Sequence, residues 1–173
     1  GINHNGSMET AKKLIDMAAL SGCDAVKFQK RNPDVCVPEH QKGKMRDTPW
    51  GTMTYIEYKY RMEFGKKEYD EIDEYCKQKG IAWSASPWDL DSLEFLMQYD
   101  IPWIKIPSAM ITNKELMEAS AATGKKIIFS TGMSTYEEID QAVDWLQGSE
   151  TLMLHCNSSY PAPLEDLNLK CIQ

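Results

Sequence analysis

Two lysines stand where strand-like runs should be most apolar. Lys27 lies in residues 24–29 (DAVKFQ) and Lys105 in residues 103–108 (WIKIPS). An ammonium group in such a run is costly unless it meets an anion. Serines collect at the carboxyl ends of the same and neighbouring runs. Ser86 closes 81–86 (IAWSAS), Ser108 closes the Lys105 run, and Ser130 lies in 126–131 (KIIFST). Fixed ammonium groups and hydroxyls at one rim suit a phosphate or a carboxylate. The competing reading pairs each lysine with an Asp or Glu of the sheet. For a single lysine that reading is the better one, but two lysines with Ser86, Ser108 and Ser130 favour an anion site. His4 sits in a Gly-Ile-Asn-His-Asn-Gly turn, as a turn-stabilising side chain or as a ligand. His155, at the end of 151–156 (TLMLHC), reads equally as a satisfied core histidine or as a ligand. No two histidines share a helical or zinc-finger spacing, so no metal cluster stands on spacing alone.

The elements that must carry these residues alternate. Short apolar runs at 24–29, 81–86, 103–108, 126–131 and 151–156 show no clean alternation, as strands buried on both faces do, which favours a parallel sheet. Helical patterns fall between them. Ser7 caps one with the apolar face Ala11, Leu14, Ile15 and Ala18, closed by Gly22; Tyr69, Ile72 and Cys76 mark another, ended by Gly80. Asp89 or Asp91 caps a helix with Leu93 and Leu96, and Asn113 caps one ended by Gly124. Ser134 and Glu137 form a capping box before Ile139, Ala142, Val143 and Leu146, which recur at helical spacing. From residue 81 the strand starts recur every 22 to 25 positions, the period of a βα unit. That rhythm predicts a doubly wound sheet or a (β/α)8 barrel, and the absence of G-x-G-x-x-G lowers dinucleotide binding.

Residues 30–65 interrupt the rhythm with Pro33, Pro38, Pro49, Gly43 and Gly51. They follow a strand end, so they form a βα insertion on the face where barrels build their sites. A disordered loop is the alternative, against which Trp50, Tyr55, Tyr58, Tyr60 and Phe64 argue.

Composition sets the remaining bounds. The chain has 173 residues, the length of one domain, and a formal net charge of −7, which argues weakly against nucleic acid. No apolar run approaches the ~18–20 residues that span a bilayer. Five cysteines without a CxxC pair read as buried thiols in a reducing cytosol. The sequence begins at Gly1 rather than at a Met, so an upstream segment is expected.

The motifs GINHNG, DAVKFQK, SASPWD, IKIPSAMITN, IIFSTGMSTYEEID and LHCNSSYPAPLEDLNL occur in this order from Gly1 to about Leu169, and together they resemble the sialic acid synthase family. The resemblance implies a (β/α)8 TIM barrel, here residues 1–173 as a partial barrel lacking its first strand, its last βα units and an antifreeze-like C-terminal domain. It implies condensation of phosphoenolpyruvate with an N-acetylmannosamine-type sugar, releasing phosphate. Lys27 and Lys105 would be catalytic; Ser86, Lys105, Ser108, Ser130 and Ser158 would bind phosphoenolpyruvate; Tyr160, Asn3 and His4 would bind the sugar. A divalent metal, manganese in most members, is implied with its histidine ligands beyond this chain and none within it. A cytoplasmic homodimer is implied, without nucleic acid or membrane partners, and this piece alone is expected to be inactive.

This sequence departs from the pattern in three places. The acidic residue expected before Gly1 is absent, Ser108-Ala109-Met110 replaces Ser-Gly-Glu, and the chain stops after the sixth barrel strand. Residues 58–64 (YKYRMEF) resemble a segment of synthases that use mannosamine 6-phosphate. A non-catalytic sugar- or phosphate-binding homologue, supported by Met110, and another aldolase-type barrel enzyme are the alternatives.

Overall fold

The computed structural model describes residues 1–172. In chain order the elements are α1 (Met8–Leu20), β1 (Ala25–Lys30), α2 (Pro33–Cys36), α3 (Glu39–Lys42), β2 (Met45–Thr48), β3 (Gly51–Thr54), α4 (Tyr55–Met62), α5 (Lys66–Lys79), β4 (Ala82–Pro87), α6 (Leu90–Leu96), β5 (Trp103–Ile106), α7 (Lys114–Ala122), β6 (Lys126–Ser130), α8 (Tyr136–Trp145) and β7 (Thr151–Leu154). β1 pairs with β4, and β5, β6 and β7 form a second sheet, with every one of these pairings parallel. The Ser84 hydroxyl donates to the Trp103 carbonyl at 2.5 Å and ties β4 to β5. The result is five strands of an incomplete (β/α)8 barrel, alternating with helices.

The strands do alternate, although the sequence pattern did not show it. Phe28, Trp83, Ala85, Ile104, Ile106, Ile127 and Phe129 are buried against the helices, where they meet Ile15, Tyr69, Ile72, Leu93, Leu96, Leu116 and Met117. The intervening positions, Lys27, Ser84, Ser86, Lys105 and Ser130, point to the other face. Lys27 lies level with Ser84 and Gln29 with Ser86 in the β1–β4 register. The apolar positions on this face, Trp103 and Ile128, hid the two-residue period.

Helix ends follow local chemistry. Ser7, Asp89 and Asn113 each accept from a backbone N–H of the first turn. Gly80 adopts φ 66°, the left-handed conformation that ends α5 without a Cβ penalty. One cap lies a residue later than expected. Thr135, not Ser134, closes the box on α8, accepting from Glu138 N–H at 3.2 Å while Glu138 accepts from Thr135 N–H at 2.8 Å. The run Ser-Thr-Tyr-Glu-Glu offers two overlapping boxes, and the second is used.

Residues 31–64 are ordered. Two four-residue helices, the β2–β3 hairpin and α4 fill the insertion. Its aromatic residues pack on its cations, Arg46 on Tyr55 and Arg61 on Trp50, each at 4.5 Å. Two other expectations fail. Cys76 is buried, but Cys23 and Cys171 are exposed, and all five thiols are free. Cys23 follows the turn at Gly22, outside the apolar face of α1. His155 is exposed rather than part of the core, because β7 is an open edge; its Nε2 lies 2.6 Å from the Leu167 carbonyl. Among the described residues no helix is long and apolar enough to cross a membrane.

Candidate active site

The carboxyl ends of β1, β4, β5 and β6 bring two ammonium groups and two hydroxyls together. Lys105 Nζ donates to Ser130 Oγ at 2.5 Å and to the Ile106 carbonyl at 2.9 Å. Lys27 Nζ donates to Ser86 Oγ at 3.4 Å. Ser86 is fully buried and Ser130 nearly so. Lys105 is half-buried; Lys27 is exposed, contrary to the expectation of a buried strand lysine, because its face of β1 lies open.

Electrostatics mark Lys105. Burial, and then the neighbouring Lys27 charge, lower its pKa from 10.5 to about 8, with Cys156 acting weakly in the opposite sense. Lys27 is lowered by burial alone: its Nζ reaches the buried Ser86 although the residue as a whole is exposed. Neither lysine has a carboxylate partner among the described residues, so the pairing with a sheet Asp or Glu is not what these residues form. Two cations held close without counterions leave a positive rim with donor hydroxyls beside it.

A second group lies on the next loops. The 3-10 turn Ser108–Met110 follows β5, and Ser108 Oγ accepts from the Gly132 N–H at 3.0 Å. A Cβ on Gly132 would stand 2.6 Å from Ser158 Oγ and 3.0 Å from Ser108 Oγ, so this glycine lets the two serines close over the backbone. Gly132 stands two residues past the end of β6, where a strand-end glycine is the only sequence signal for this close approach.

Asn3 and His4 line a cavity of about 190 Å³ with Lys27 and Phe28. His4 is 3% exposed, its Nδ1 accepts from the Gly6 N–H at 3.1 Å, and its ring stacks on Phe64 at 4.0 Å. Burial, then neighbouring positive charge, lower its pKa to about 4, so it is neutral near pH 7. Tyr160 is not brought into the cluster: it is 95% exposed on the loop after β7. Met110 is partly buried against the core, as suits its apolar side chain. Among the described residues no three His, Cys, Asp or Glu side chains converge to hold a metal ion, so these residues do not fit the implied manganese.

Parallel strands flanked by helices, with ammonium and hydroxyl groups at their carboxyl ends, define a barrel of the (β/α)8 class, carried here in part. The chain belongs to the NeuB family, whose profile matches residues 14–173. It is 35% identical to the N,N'-diacetyllegionaminic acid synthase of Campylobacter jejuni, covering all of this chain and 54% of that protein. It is 36% identical to the N-acetylneuraminate-9-phosphate synthase of Drosophila melanogaster, covering 99% of this chain and 47% of that one. Among solved structures, the N-acetylneuraminic acid (sialic acid) synthetase of Leptospira borgpetersenii in complex with citrate superposes with a TM-score of 0.88 at 34% identity, over all of this chain and 57% of that one. The chain spans about half the length of the curated relatives it matches.

Proposed function

We propose that the protein carrying this chain is a nonulosonic acid synthase, joining phosphoenolpyruvate to an N-acetylated aminosugar of the mannosamine type. One observation carries this: Lys27 and Lys105 converge at the barrel rim with Ser86 and Ser130 and with no carboxylate partner among the described residues. The names of its relatives supply the class of product, and the family resemblance supplies the acceptor.

In this reading, Lys105 and Lys27 take the substrate's anionic groups, with Ser86, Ser108, Ser130 and Ser158 donating hydrogen bonds. Asn3 and His4, which line a cavity with Lys27, belong to the sugar side, and the resemblance alone adds Tyr160. The methylene carbon of phosphoenolpyruvate attacks the open-chain aldehyde carbon, forming the new carbon–carbon bond, and the aldehyde oxygen takes a proton. Positive charge at the second carbon is quenched by water, and the adduct expels phosphate to leave a 2-keto acid. The fixed cations orient the substrate and stabilise the departing phosphate. The resemblance alone supports manganese, held outside these residues, and a cytoplasmic homodimer.

Full-length protein supplied with phosphoenolpyruvate and N-acetylmannosamine, with manganese added, is expected to release one phosphate per phosphoenolpyruvate consumed, and none without the sugar. Phosphate release that ignores every N-acetylated aminosugar, or none at all, would refute the proposal.

A further inference from the structure

A second set of unsatisfied donors lies beyond the end of β1. Arg31 is 7% exposed. Its Nε donates to Glu63 Oε1 at 2.6 Å and its backbone N–H to Glu63 Oε2 at 3.3 Å, so this one residue engages both carboxylate oxygens. Its Nη2 is buried and has no partner among the described residues. The same holds for the indole N–H of Trp88, whose ring lies 5.6 Å from the guanidinium carbon.

Both side chains line one cavity of about 220 Å³, walled by Pro33, Val37 and Tyr55 and also lined by Lys59. Nearly all buried polar groups in folded proteins are paired, so two orphan donors on residues that wall one cavity, neither atom itself open to it, call for an acceptor that a small side-chain shift would admit. Of the charged residues that line the cavity, Lys59 and Arg31 outnumber Glu63, and the Asp89 carboxylate lies behind Cys36. The neighbouring Cys36 adds no negative charge: burial, then its hydrogen bond to Asp89, raise its pKa to about 12. A water takes up about 30 Å³, so the space exceeds what one bridging water needs.

We propose that this cavity is a second oxyanion site, taking a phosphoryl or carboxylate group on Arg31 Nη2 and Trp88 Nε1. Arg31 lies four residues past Lys27, roughly 13 Å along an extended chain, so the site is separate from the lysine rim. A guanidinium presents the planar fork that such a group accepts.

The test uses the full-length protein labelled with nitrogen-15, with the Trp88 indole resonance assigned by through-bond correlation. Inorganic phosphate and acetate are titrated separately, into the wild type and into Lys105→Met, which removes a cation from the rim. The Trp88 resonance is expected to move saturably in both proteins; the stronger of the two anions identifies phosphoryl or carboxylate. Arg31→Lys, which keeps the charge and loses the fork, is expected to weaken that binding by about fivefold or more. A resonance that stays still with both anions shows a water-filled cavity only. Movement confined to the wild type reports the lysine rim, and an Arg31→Lys titration equal to wild type removes Arg31 from the site. Each of these three results overturns the proposal.

Discussion

Replacing Lys105 by Met should stabilise the fold and weaken phosphoenolpyruvate binding together. The side chains are similar in length, so packing is nearly kept. Burial and Lys27 hold the Lys105 ammonium at about 8 instead of 10.5. That difference amounts to roughly 3 kcal/mol of penalty on the charge, and roughly 2 once water at the rim is allowed for. Met removes this penalty but leaves the buried Ser130 hydroxyl without its 2.5 Å donor, a loss of about 1 kcal/mol. The net gain is about 1 kcal/mol, read as a higher urea midpoint at unchanged slope in the full-length protein. Loss of a charge-assisted contact worth ~1.5–3 kcal/mol should raise the phosphoenolpyruvate Kd about tenfold to a hundredfold by titration calorimetry. Destabilisation with unchanged affinity would make Lys105 a paired core charge and refute the reasoning.

The pH dependences should oppose each other. Phosphoenolpyruvate affinity should be flat below pH 8 and fall towards about tenfold per pH unit above it, as free Lys105 loses its proton. Because the folded pKa lies below the unfolded value, the unfolded chain binds more protons between pH 8 and 10.5. The Lys105 contribution to ligand-free stability should therefore rise with pH through that window, which urea titrations across it would read. Gly132→Ala should weaken phosphoenolpyruvate binding at least as much as Ser108→Ala, itself about fivefold, because the new Cβ pushes on both Ser108 and Ser158 in a calorimetric comparison. Glu63→Gln should destabilise the fold by about 3–5 kcal/mol in urea titrations, since it strips a buried Arg31 of its charge partner at 2.6 Å. The 173-residue chain alone should bind a hydrophobic dye and self-associate, because β7 exposes Leu152 and Met153, and α1 exposes Met17 and Leu20; a sharp monomeric melt would contradict this.

Elements whose signals are local were legible in the sequence. Ser7, Asp89 and Asn113 cap the helices assigned to them, because a cap needs only a side chain and an N–H within one turn. The five strand positions were legible because the apolar runs are short and evenly spaced. The two lysines stand out because a charge is conspicuous inside such runs, but the openness that exposes Lys27 is a property of tertiary structure. The Arg31–Glu63 pair, 32 positions apart, and the Trp88 contact carry no local pattern. The loop after β7 likewise gives no periodicity from which the exposure of Tyr160 or His155 could be read.

In the proposed reaction the lysine rim holds phosphoenolpyruvate for attack on a sugar aldehyde. The most direct measurement uses phosphoenolpyruvate labelled with carbon-13 at its methylene carbon and an N-acetylated aminosugar labelled at its aldehyde carbon. Both are turned over by the full-length protein with manganese and followed by carbon NMR. A product in which the two labels are directly coupled, forming together with free phosphate and lost in Lys105→Met, is the expected result. Labels that stay uncoupled, with phosphoenolpyruvate intact or converted to pyruvate, would contradict it.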